Sequence, residues 1–251
     1  MRHTRVWLGL GVATLMAGGV ACGLFSSDLL SYSFKLPRKS FTVDADSMVP
    51  QQWRQLGGTA PVVPAVPCPT VDCCTIATAA GDQCSTYGLE CVTGSCEAAP
   101  VVVLVNEINL AQEAPELANV ASNIPSFTHV MLKRLYLSDY SNGLNYATPE
   151  VEVWLGPEAA TAIDDQDASG NPLCVQIGTL PPIPAQSACS SGSCVDVQLT
   201  ADAATLFDKF ATNFRQTFKV FIRMTVRLKP GDPIPAGTFQ ATVTGEATAS
   251  I

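Results

Sequence analysis

The chain has 251 residues, 47% of them hydrophobic and 14% charged, with 18 Gly, 18 Pro, 10 Cys and a formal net charge of −8. So few charges exclude a coiled coil, the apolar content excludes a charged disordered chain, and the acidic balance disfavours binding a phosphate backbone by bulk electrostatics. The length accommodates one domain of fair size, or one domain plus a small module.

The first five residues carry Arg2 and Arg5, and Val6 to Ala21 then run without a charge. A basic start, a short apolar run and small residues before a break form the pattern of a secretory signal peptide. The run falls short of the ~20 residues that span a bilayer. The break reads Gly19-Val20-Ala21-Cys22. It resembles the lipobox of bacterial lipoproteins, in which Ala21 and Cys22 fit and Gly19 stands where the family usually has Leu. The resemblance covers only the first two dozen residues. It implies that Cys22 is acylated, becomes the mature N-terminus and anchors the chain in a lipid bilayer. Gly23, rather than Asp, follows the cysteine; in a Gram-negative host the resemblance then implies sorting to the outer membrane. The lipid anchor places the protein at the outer membrane or in the periplasm; ordinary signal-peptidase cleavage near Ala21 is the alternative and leaves it extracellular.

Beyond Cys22, six cysteines fall close together: Cys68, Cys73, Cys74, Cys84, Cys91 and Cys96. An exported chain with dense, even-numbered cysteines implies a disulfide framework, whose connectivity spacing alone does not choose. No histidine lies near and there is no pair of C-x-x-C steps, so no metal is expected there. The segment has too few large apolar residues to build its own core, so disulfides must order it. It resembles the short Cys-rich units of bacterial surface and secreted proteins, and distantly dickkopf-type modules, which implies exposure rather than an activity. Cys189 and Cys194 enclose Ser-Ser-Gly-Ser and are placed to close a small loop; Cys174 is then free or paired elsewhere.

Tyr32, Phe34 and Leu36 alternate with polar residues; Pro37 interrupts, and Phe41 and Val43 resume. This predicts one bent edge strand or two short ones. Gln51 to Pro67 is a Pro/Gly-rich linker. Strands are expected over Val101 to Leu110, Phe127 to Tyr140 (ended by Asn142-Gly143), Glu150 to Leu155 and Val195 to Leu199, with a short helix over Pro115 to Ala121. Ala203, Leu206, Phe207, Phe210, Ala211 and Phe214 form a helical stripe, with Thr200 in the N-cap position. Phe218 to Leu228 alternates strictly, except that Phe221 lies on the polar face. With Phe239 to Ala249 it predicts a long antiparallel hairpin.

The expected fold class is therefore mainly β: an antiparallel β-sandwich with one or two short helices and an inserted or preceding disulfide-rich module. The segments are a signal peptide (1–21), a tether and first strand region (22–50), the linker and six-Cys module (51–98) and the sandwich (99–251).

Catalytic signatures are sparse. His129, the one histidine beyond the N-terminal segment, sits in a strand pattern without a G-x-S-x-G elbow, and no P-loop or dinucleotide fingerprint occurs. Glu150 and Glu152 share a strand face expected to meet solvent. Asp165, Asp167 and Ser169 resemble the opening of a calcium loop, but Gln176 stands where such a loop needs Glu. No catalytic residue, metal or cofactor is expected, nor a nucleic-acid partner. The expected role is non-catalytic binding or structure at the cell envelope, toward a protein or glycan. The alternatives are an inhibitor or ligand-binding protein using its Cys-rich loops, and a hydrolase built on His129 or the Asp164 to Asp167 cluster.

Overall fold

The computed structural model describes residues 31–49, 53–54, 62–68, 72–78, 87–114, 116–117 and 124–251. The signal-peptide segment with Cys22, and also Cys84, lie outside them.

In chain order, β1 (Ser31–Lys35) and β2 (Lys39–Asp44) come first, then helix α1 (Cys73–Thr78) and the hairpin β3 (Leu89–Val92) and β4 (Ser95–Ala98). There follow β5 (Val101–Ile108), α2 (Leu110–Glu113), β6 (His129–Asn142), β7 (Val151–Pro157), β8 (Val175–Leu180), β9 (Ser187–Cys189), β10 (Val195–Asp196) and β11 (Gln198–Leu199). The chain ends with α3 (Ala203–Ala211), β12 (Phe218–Thr225) and β13 (Thr238–Ser250).

Two antiparallel sheets face each other. In the first, β13 pairs on one side with β1 and β2 in succession and on the other with β6, which also pairs β9 and β10. The second runs β11-β8-β7-β12-β5. Alternation puts Phe34, Phe41, Leu137 and Val243 of the first sheet against Val153, Leu155, Ile177, Val220 and Ile222 of the second. Helix α3 closes one end with Ala203, Phe207 and Ala211, all buried. Burial of a side chain such as Phe207 contributes about 2 kcal/mol. The β1–β2 pair is the bent edge expected around Pro37.

Three sequence expectations change. The hairpin of Phe218 to Leu228 with Phe239 to Ala249 does not form. β12 pairs β5 and β7, whereas β13 belongs to the opposite sheet. Their connection is instead held to the Cys-rich segment, Leu228 and Ala98 exchanging both backbone hydrogen bonds and Asp232 accepting from Val63 N–H. Period-2 alternation specifies the buried face of a strand but not its neighbour. Second, Val195 to Leu199 is not one strand: β10 joins the first sheet and β11 the second, with Val197 buried between them. Third, the N-cap of α3 is Asp202, without a side-chain cap bond, while Thr200 N–H donates to Ile177 O. A helical turn, α2, also precedes Pro115. Asn109 caps it by accepting from Gln112 N–H, and Glu113 accepts from Asn109 N–H. Within the expected helix of Pro115 to Ala121, Glu116 and Leu117 are helical, and the rest lies outside the described residues.

The six-Cys segment lies between β2 and β5, both sandwich strands. Cys68 pairs with Cys91 and Cys73 with Cys96, and Cys74 is also disulfide-bonded. Its buried Tyr87, Leu89 and Ala98 join the main core. The disulfide-rich unit is thus packed as an insertion at the sandwich.

Candidate functional site

The outer face of the first sheet carries a broad depression. Alternation turns Ala241 and Val243 of β13 and Leu135 and Leu137 of β6 inward. It turns Thr242, Thr244, Tyr136 and Ser138 outward. Two short structures wall this face. One is the break between β1 and β2 at Leu36, Pro37 and Arg38. The other is the loop that the Cys189–Cys194 disulfide closes, as its spacing suggested. Gly192 sits at the loop's tip with φ +93°, a conformation that L side chains rarely adopt. Cys194 N–H donates to Leu137 O and ties the loop to β6. The resulting groove has a volume of about 580 Å³ and reaches Glu113 and Glu116.

Ion pairs brace its rim. Arg38 meets Asp139 at 2.7 Å, Lys39 meets Glu113 at 2.5 Å and Arg134 meets Asp196 at 2.6 Å. Burial pushes the Asp139 carboxyl up, but hydrogen bonds from Thr242, Ser138 and Arg38 outweigh it and hold the pKa below the usual range. The Arg134 hydrogen bond lowers Asp196, and Asp196 raises Arg134 in return. These carboxylates are charged and committed at neutral pH, an arrangement that shapes a surface rather than one that passes protons.

Tyr136 forms part of the lining. It is 9% exposed, with the Arg134 guanidinium 4.9 Å from its ring centroid. Its hydroxyl has no hydrogen-bond partner among the described residues.

The other sequence candidates are dispersed. His129 opens β6 with a side chain 72% exposed; its Nδ1 lies 3.2 Å from Asp208 Oδ2, and among the described residues it bonds to no hydroxyl or thiol. Asp208 also accepts from Val130 N–H and the Thr212 hydroxyl, so the pair pins α3 to β6. Asp165 accepts from Thr161 N–H, its hydroxyl and Ala162 N–H. Asp167 accepts from Ser169 N–H, Asn171 N–H and the Asn171 amide. These bonds hold both pKa values down and turn the carboxylates toward their own loop. Among the described residues, no converging group of three or more His, Cys, Asp or Glu side chains includes Asp165 or Asp167. The sulfurs of Cys68, Cys73 and Cys96 do lie within 4.8 Å of one another. All three are in disulfides and offer no thiolate to a cation.

Glu150 is exposed, but Glu152 does not simply meet solvent. It accepts from Trp154 Nε1 and Arg223, whose guanidinium lies over the Trp154 ring. Beside them, Phe221 packs with Ala160, Ile163 and Cys174 in a small second core where the chain after β7 folds back over the sheet. Cys174 is free and buried. Phe221 on an otherwise polar face was the sequence signal for this core. For the groove, the Cys189–Cys194 spacing was the one legible sign, because Arg38, Glu113, Tyr136 and Ser191 are remote in sequence.

No protein-family model and no curated protein matches the chain. A solved structure of Desmodium yellow mottle tymovirus is similar at a TM-score of 0.20 and 10% identity, covering 100% of this chain and 96% of that one. A likeness of that size carries no argument about this chain.

The disulfides indicate an oxidising, exported environment. No helix among the described residues is long and apolar enough to cross a membrane.

Proposed function

We propose that this is an exported cell-envelope protein, anchored by acylated Cys22, with a non-catalytic binding role whose contact surface is the groove beside the Cys189–Cys194 loop. The observation that carries the reading is a preformed polar groove whose walls are fixed by a disulfide and three ion pairs. Preorganised walls lower the ordering cost of binding. Export is supported by the disulfides, and the anchor by the sequence from Arg2 to Cys22. In a Gram-negative host, Gly23 supports outer-membrane placement under the lipoprotein resemblance.

Intact mass of the mature protein tests the anchor. A lipid-sized increment on an N-terminal Cys22, lost together with membrane fractionation in Cys22→Ser, is the expected result. A mature protein that begins elsewhere overturns it.

A further inference from the structure

Resting on the reading of the groove as the contact surface, we infer that its ligand is a neutral oligosaccharide bound along the outer face of the first sheet. Three observations point there. The charges of the lining balance: Lys35 and Arg38 stand against Glu113 and Glu116. A phosphate-bearing or polyanionic ligand calls for an excess of cations, which this wall lacks.

The depression also continues. A second one of about 290 Å³ shares Lys35 and Glu116 with the first and runs on along β1 and β13. It too is balanced, Lys35 and Lys133 against Glu116 and Glu246. Two adjoining neutral depressions suit an elongated chain better than a single small molecule.

The free polar groups are of the kind that hydroxyls satisfy. Ser190 and Ser191 line the larger depression and Ser33 and Thr248 the smaller, while Ser138 and Thr244 are already bonded, to Asp139 and to Leu36 O. Tyr136 adds a hydroxyl that has no protein partner among the described residues. A sugar hydroxyl is both donor and acceptor and can answer each of these. A peptide is recognised mainly through apolar pockets or strand-edge pairing, and the larger depression offers Leu36 and Pro37 as its aliphatic residues.

Titration of the disulfide-bonded full chain with maltohexaose, cellohexaose, xylohexaose and chitohexaose, followed by calorimetry and NMR, tests the inference. At least one is expected to bind with a Kd of about 1 mM or tighter. Tyr136→Phe, which keeps the ring, should weaken it about fivefold through loss of one neutral hydrogen bond. Ser191→Trp, on the exposed loop, should abolish it. Disulfide mass and circular dichroism establish that both variants are folded. Failure of all these sugars, or binding that both variants leave unchanged, overturns the inference. Binding of heparin or a decapeptide instead, lost in Ser191→Trp, overturns the neutral sugar but retains the groove. If none of these probes binds in a way that Ser191→Trp removes, the groove reading falls as well.

Discussion

Gly156 and Cys174 meet on the outer face of the second sheet: a Cβ added at Gly156 would lie 2.6 Å from the Cys174 Sγ and 3.0 Å from the Phe221 ring. The segment after β7 can fold back over the sheet only because position 156 has no side chain. Gly156→Ala should therefore cost about 1–3 kcal/mol by overpacking. Urea unfolding of the single variants and of Gly156→Ala with Cys174→Ala measures it. The double variant should recover part of the loss, since the two sites are in contact. Strict additivity would show that the contact is not the cause.

The same packing shields the thiol. Burial pushes the Cys174 pKa up, and the charges of Asp165 and Asp164 push it further. Sγ also lies 3.4 Å from Ala162 O, as donor. Iodoacetamide at mildly alkaline pH should leave Cys174 unmodified in the native protein and label it fully after denaturation without reductant. Peptide mapping reads both states; rapid native labelling would contradict the buried position.

Stability should fall in acid. The carboxyls of Asp139, Asp165, Asp167, Asp196 and Asp208 all have folded pKa values below their ordinary one. For Asp208, burial acts upward but the bonds from Val130 N–H, Thr212 and His129 prevail. A lowered folded pKa gives stability that is present above the unfolded value, about 4, and lost as pH falls through the folded values. The urea midpoint is expected to be flat near neutrality and to drop below about pH 4. Asp208→Asn should flatten that drop, and an unchanged slope would remove Asp208 from the account.

The disulfides should differ in weight. Cys73–Cys96 spans a sequence separation of 23 and Cys189–Cys194 one of 5. Chain entropy assigns about 3 kcal/mol to the first and about 2 kcal/mol to the second. The Cys73→Ser/Cys96→Ser pair should lower the urea midpoint more than Cys189→Ser/Cys194→Ser. The second pair should instead impair whatever the groove binds, because it frees the loop bearing Ser191. Equal binding with and without that disulfide would argue against the loop as a wall.

Sequence alone determined the class of fold and much of its inventory. Alternation at Phe34, Phe41, Val153, Val220 and Val243 specifies strands with one buried face, and the stripe through Phe207 specifies the helix, because these periods are local geometry. The closeness of Cys189 and Cys194 made their loop legible for the same reason. Only the tertiary structure decided which strands are neighbours. β12 and β13 part into different sheets, Val195 to Leu199 crosses between them, and the Cys-rich segment, inserted between β2 and β5 in the chain, bonds to the connection between β12 and β13. The groove also belongs to this second kind of information. Arg38 finds Asp139 about a hundred residues away and Tyr136 comes to lie beside the Ser191 loop. Residue pattern fixes which side of each strand is buried, while long-range pairing, with no periodic trace in the chain, assembles a site from the polar sides left outward.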